Sequence, residues 1–189
     1  MKTIFTAFIL GLSLAMSGCV PSVNPFYTDA DVYFDRNLLG EWSDDDGSES
    51  WAFEAGVDND YKLTYTDEEK KTGVFTARLF KLGERSFLDI VPSRSVCIQN
   101  DFYIGHLLPL HTFVQIAING KSGHVSYLDS AWLARLLNKN PNAVQHSFFN
   151  SDIFLTDTTK NLQAFLVANI ETPEAFVKST ELKRKPFRK

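Results

Sequence analysis

Several groups of residues in this 189-residue chain have side chains of the types that carry chemistry. Asp44, Asp45, Asp46 and Glu49, around Gly47 and Ser48, offer the oxygen donors that calcium takes six to eight at a time. In a calcium-binding loop of the helix-loop-helix kind the closing glutamate stands well beyond the glycine; Glu49 comes too early, so a solvated hairpin turn is expected. The histidines are His106, His111, His124 and His146, and no pair has the i, i+4 spacing of a helical zinc site. His111 and His124 have a route to each other across a hairpin, yet both neighbour apolar strand residues, so hydrogen-bonded strand histidines are expected and no metal site. There is no nucleophile elbow, phosphate loop or dinucleotide fingerprint. The many carboxylates of residues 29–69 fall mostly in turns, where no desolvated cleft shifts their acidity. No enzyme and no cofactor is therefore expected. Cys97, between Val96 and Ile98, reads as a buried, inert thiol. That leaves Cys19.

Cys19 ends a distinctive leader. Lys2 supplies a positive charge, and residues 3–16 form a run without one. As a helix that run spans only ~21 Å, short of the ~30 Å hydrocarbon core of a bilayer. It suits the apolar region of a signal peptide, expected over residues 1–18. Met16-Ser17-Gly18-Cys19 resembles the lipobox of bacterial lipoproteins, with Met16 where leucine is usual. The resemblance implies cleavage after Gly18, a diacylglyceryl group on the Cys19 sulfur and acylation of the new amino terminus. The partner so implied is a membrane, held through the acyl chains on Cys19, since two or more chains anchor stably where one does not. Val20, rather than Asp, follows the cysteine; in enteric-type bacteria lipoproteins like this are sorted to the outer membrane, facing the periplasm.

The elements that must position these residues follow from pattern. The formal net charge of -4 and ordinary apolar content point to a globular domain and away from a general nucleic-acid binder. Residues 19–27 are expected to be the lipidated cysteine and a tether, with two prolines and no apolar period, and residues 28–189 one β-rich domain. Charge is uneven: residues 29–69 hold fourteen acidic and two basic residues, residues 178–189 six basic and one acidic. The basic end reads as a solvated terminus or as a segment lying on anionic lipid, remote from the acidic strands.

Residues 35–40 read as one helical turn capped by Asp35 and ended by Gly40. Short alternating runs then recur at 41–43, 51–55, 61–66, 74–82 and 85–91 with turn residues between, the spacing of an antiparallel meander. Residues 112–119 and 124–129 make a hairpin, and 144–149 with 153–155 another. Trp132, Leu133, Leu136 and Leu137 form a helical stripe that stops before Pro141. Leu162, Phe165 and Leu166 mark a second helix, and Thr172-Pro173 opens a short third one carrying Phe176.

Gly40-Glu41-Trp42, after a helical turn and before a meander, resembles the Gly-x-Trp motif that opens lipocalin-like (calycin) barrels. The resemblance implies a β barrel whose base is closed by the tryptophan ring. The wider string around it also resembles a family of uncharacterised bacterial envelope lipoproteins, which supplies no mechanism. The expected fold is mainly β with α: an antiparallel barrel or strongly curved sheet, with two or three helices in the C-terminal third. Trp42, Trp51, Phe53, Tyr61, Leu63, Tyr65 and Phe80 are the residues expected on its inner face, as ligand lining or as core.

Two functional classes are open, both non-catalytic. A barrel of this size either holds one small ligand or is filled by side chains. The first class is a cup for an apolar or lipid-like molecule, marked by an apolar pocket of at least ~300 Å³. The second is a structural or protein-interaction module of the envelope, marked by a filled barrel and an exposed apolar patch or acidic plate. The sequence leans slightly to the first and identifies no protein partner.

Overall fold

The computed structural model describes residues 20–93, 107–150, 152–176 and 178–186. The leader, Gly18, Cys19, Cys97 and His106 lie outside the described residues, and so do the expectations placed on them.

The molecule is mainly β, with a closed barrel of eight antiparallel strands and two helices. The barrel strands are β2 (Gly40–Ser43), β3 (Ser50–Ala55), β4 (Asp60–Thr66), β5 (Thr72–Leu82), β6 (Arg85–Pro92), β7 (His111–Asn119), β8 (Ser122–Tyr127) and β11 (Lys178–Arg184). Seven form a meander in chain order; β11 then enters between β8 and β2 and closes the ring. Closure leaves no free edge on these strands.

Three further strands branch from β7. β1 (Pro21–Ser22) lies antiparallel to the start of β7 and parallel to β10 (Asp152–Leu155), and β10 pairs with β9 (His146–Phe149). Residues 20–25, expected to hang as a tether, are instead built into the body. Val20 and Ser22 are buried and Phe26 is fully enclosed.

The two sides of the barrel wall are buried against different things. Inside, Leu79 of β5, Leu88 of β6 and Val114 of β7 join the aromatic residues of β2 to β4. Outside, Phe80, Phe87 and Phe113 are covered by α1 (Ser130–Lys139) and α2 (Thr159–Asn169). Strands sandwiched in this way carry apolar residues on both faces, as Leu79-Phe80 and Phe87-Leu88 do. Asp129 starts α1 by accepting from the Trp132 amide at 2.6 Å. Trp132, Leu133 and Leu137 bury one stripe of α1, and Leu162, Phe165 and Leu166 the matching stripe of α2. Full burial of a leucine such as Leu133 or Leu162 stabilises by about 1.5–3 kcal/mol. Residues 172–176 form turns and bends; no third helix opens at Pro173.

Candidate functional site

The barrel interior is assembled from its closed end. Asp35 caps a 3-10 turn (Arg36–Leu38) by accepting from the Asn37 amide at 2.8 Å. Gly40 then takes a φ of 116°, in the region where a side chain is strained, and this redirects the chain into β2. The result is that the Trp42 indole folds back and donates to the Leu38 carbonyl at 2.8 Å. Tyr61 locks the same turn from β4: its hydroxyl accepts from the Asp35 amide at 2.6 Å and donates to the Asp35 carbonyl at 3.0 Å. Burial pushes the Tyr61 phenol up to about 12. Phe34 stacks on the Tyr61 ring at 4.7 Å.

Arg184, at the end of the closing strand, lies over the Trp42 ring with its guanidinium carbon 4.6 Å from the centroid. It also donates to the Asn37 carbonyl. Gly123 of β8 leaves room for this arrangement, since a Cβ there would stand 2.7 Å from Ile118 and 3.8 Å from Trp42.

Of the residues expected on the inner face, Trp42, Trp51, Phe53, Tyr61, Leu63 and Tyr65 share it. The strand register sets Trp42 opposite Trp51, Trp51 opposite Tyr65, and Phe53 opposite Leu63. Trp51 meets Tyr65 edge-on at 5.4 Å and Phe53 meets Tyr61 edge-on at 6.1 Å. Phe80 does not join them. It faces outward opposite Phe87 with ring centroids 5.5 Å apart, inside the helix-covered layer. The reason is strand parity: Ala77 and Leu79 point inward, so their neighbour Phe80 must point out.

The interior is packed along much of its length, with Leu38, Trp42, Tyr61, Leu63 and Leu88 fully buried. A cleft of about 310 Å³ sits at the closed end, between the 3-10 turn, the β5–β6 turn and the end of β7. Leu38, Leu79 and Ile116 form its apolar floor, and Tyr33, Glu84, Arg85 and Gln115 its polar rim. On that rim the Tyr33 and Ser86 hydroxyls are 2.7 Å apart and Arg85 pairs with Glu171 at 2.9 Å. A second cavity of about 460 Å³, between Leu136, Asn140, Asn161 and Phe165, lies in the helical layer.

At the opposite end of the barrel the Trp51 indole N–H is buried and meets no acceptor among the described residues. Tyr65 is half-buried against it, and Phe75 and Tyr127 are half-buried against the same inner cluster.

The outer wall holds a polar constellation that sequence reasoning missed. Asp89, 2% exposed, accepts from the Phe26 amide at 3.0 Å and pairs with His111 Nδ1 at 2.6 Å. Arg78 faces Asp89 across the β5–β6 ladder, donates to the Tyr27 hydroxyl at 2.6 Å and pairs with Asp60. These contacts hold residues 26 and 27 on the barrel. The available signal was an acid standing among Phe87, Leu88 and Ile90. Arg184 was also missed, as the last residue of an alternating run hidden by its charges.

The other candidate groups are placed plainly. Residues 44–49 form the β2–β3 turn, where Asp44 accepts from the Ser48 hydroxyl and the Glu49 amide. Among the described residues no group of three His, Cys, Asp or Glu side chains is placed to hold a metal. His111 and His124 do not meet: His111 faces Ser22, and His124 lies between Ala117 and Glu181. The basic C-terminal run is not remote from the acidic strands. β11 lies beside β2, Lys183 pairs with Asp45 at 2.6 Å and Lys185 with Glu41 at 2.7 Å. Among the described residues no helix is long and apolar enough to cross a membrane. No family model, no curated protein and no solved structure matches the chain.

Proposed function

We propose that this chain is a lipid-anchored protein of the bacterial envelope that works through its outer surface, its barrel serving as a rigid, side-chain-filled body. The observation that carries this reading is the packing of the interior, where Trp42, Tyr61, Leu63 and Leu88 leave no exposed surface. An eight-stranded barrel filled in this way is a scaffold rather than a cup. The cleft at its closed end has a polar rim in which Arg85 is already paired with Glu171, which suits an apolar ligand poorly. Anchoring through Cys19 rests on the lipobox resemblance.

A second reading has one observation in its favour. The Trp51 side chain is almost fully withdrawn from solvent, and its N–H meets no acceptor among the described residues. A small apolar molecule carrying one hydrogen-bond acceptor, seated against Trp51 beside Tyr65 and Phe75, satisfies it.

Native mass spectrometry of the full-length protein extracted from its own cells separates the outcomes. The expected result is an acyl mass at Cys19 and no co-purifying small molecule, with Cys19→Ser shifting the protein to the soluble fraction. A bare thiol at Cys19 overturns the anchor. A stoichiometric apolar molecule overturns the scaffold reading in favour of the cup.

A further inference from the structure

The geometry points to a second membrane contact: the tip of the β9–β10 hairpin, carrying Phe148 and Phe149, inserts into the same lipid leaflet that holds Cys19. This inference rests on the lipid-anchored reading above and adds where the body touches the bilayer.

Phe148 and Phe149 are 61% and 70% exposed, although the chain buries most of its other described large aromatic side chains. They stand at the end of β9, where the hairpin turns through Asn150 at a φ of 49°. In the ladder Phe148 faces Ile153 and Phe149 faces Asp152, so the two rings project on opposite sides of the tip. Such a tip presents apolar surface in two directions, which suits a fluid hydrocarbon boundary better than a single flat protein face. The charge at the tip is low: Asp152 is the acid of the ladder there, exposed and free to stay at headgroup level. An aromatic ring at that depth is favoured because its body is apolar and its edge tolerates polar neighbours.

What names the bilayer as occupant is where the N-terminal segment enters the fold. β1 runs parallel to β10, with Ser22 opposite Leu155 and the Val23 amide donating to the Leu155 carbonyl at 2.9 Å. In a parallel pair, each step back from Ser22 along β1 is a step back along β10 toward Asp152. Val20, two residues back, is buried in one cluster with Leu155, against which Ile153 packs. Cys19 is joined to Val20 by one peptide bond, ~3.8 Å between Cα atoms. Acyl chains on Cys19 therefore leave the body on the side of the hairpin tip, and the lipid that receives them lies within reach of the two rings. β10 runs antiparallel to β7, so the tip points toward the closed end of the barrel; the β4–β5 turn with Glu69, which is exposed, belongs to the opposite end.

The test uses the full-length acylated protein reconstituted into phosphatidylethanolamine–phosphatidylglycerol vesicles, with or without brominated acyl chains that quench indole emission on contact. Phe149→Trp adds an indole at the tip and Glu69→Trp adds one in the β4–β5 turn at the opposite end of the barrel. Both sites are exposed, so neither change disturbs the core. The expected result, after subtracting the emission of the parent protein, is at least a two-fold quench for Phe149→Trp and none for Glu69→Trp. Protein that carries its acyl mass and floats with the vesicles, yet shows equal quenching at the two sites, overturns the tip contact and leaves the anchor standing. A tip that serves a protein partner or a second copy of this chain gives that same result, with no excess quench at the tip. Protein without an acyl mass overturns both.

Discussion

The guanidinium of Arg184 covers the ring of Trp42, 4.6 Å from its centroid, at the seam where the last barrel strand meets the first. The two residues are direct partners in the ladder, and the same guanidinium reaches the Asn37 carbonyl in the turn before β2. One side chain thus ties the closing strand, the indole and the closed end together. Its Nε is buried without a partner among the described residues, a cost the other contacts must exceed. Arg184→Ala is expected to lower the urea unfolding free energy by about 2–4 kcal/mol, the sum of a cation–π contact and a charged hydrogen bond. Arg184→Lys should recover less than half, because an ammonium neither lies flat on the ring nor spans to Asn37. An unfolding midpoint unchanged in Arg184→Ala contradicts this role.

Asp157 makes a comparable joint in the outer layer. It accepts from the Gln145 amide at 2.9 Å, the Thr158 amide at 2.8 Å and the Asn161 amide group at 2.7 Å, linking the start of β9 to the start of α2. Burial on its own would raise this carboxyl, but the three donors outweigh it and hold it below the usual carboxylate range. A carboxylate depressed by folding stabilises above its unfolded pKa and loses that stabilisation as pH falls through the folded one. The stability gap between the parent and Asp157→Ala is therefore expected to be constant above about pH 5 and to shrink below about pH 4. Urea titrations of both proteins from neutral to acid pH measure it. A gap that widens with acid would show the sign to be wrong.

Asp89 pins the N-terminal segment. Asp89→Ala leaves the Phe26 amide and His111 without their buried acceptor, at a cost of about 3–5 kcal/mol. The same change should increase amide exchange at residues 20–27 well before the barrel amides respond. Equal acceleration in both regions would assign Asp89 to the barrel as a whole instead.

Trp51→Phe discriminates the two functional readings. With the barrel side-chain-filled, losing an unpartnered N–H offsets much of the lost ring volume, and the unfolding free energy should fall by less than about 1.5 kcal/mol. With a ligand bound through that N–H, the variant purified from cells should instead lose the co-purifying molecule. A larger loss of stability with no ligand in either protein would mean the indole N–H has an acceptor beyond the described residues.

Much of the fold was legible, for local reasons. The meander from β2 to β6 shows as alternation between turns, and the buried stripe of α1 as Trp132, Leu133 and Leu137. The Asp35 turn and the Gly40–Trp42 geometry come from a cap and a positive φ, both local. What escaped was decided at long range. Leu182 is the single large apolar residue of β11, so the strand reads as a charged tail until β2 and β8 are there to flank it. Leu79-Phe80 is apolar on both faces, and alternation assigns no direction when both faces are covered. Residues 20–25, with two prolines, carry no periodic signal; their place is set by β7 and β10, far along the chain. Of the candidate site, the inward aromatics were visible, while Asp89 and Arg184 acquire meaning only from what they touch.

The lacing of β1 between β7 and β10 has a mechanical consequence. A pull applied at residue 20 acts along a strand bonded on both flanks, so it loads those ladders in shear rather than peeling them one bond at a time. Tension at residue 20 passes straight into the barrel wall and the helices leaning on it. Residues 21–22, bonded on both flanks, therefore cannot swivel freely against the barrel wall.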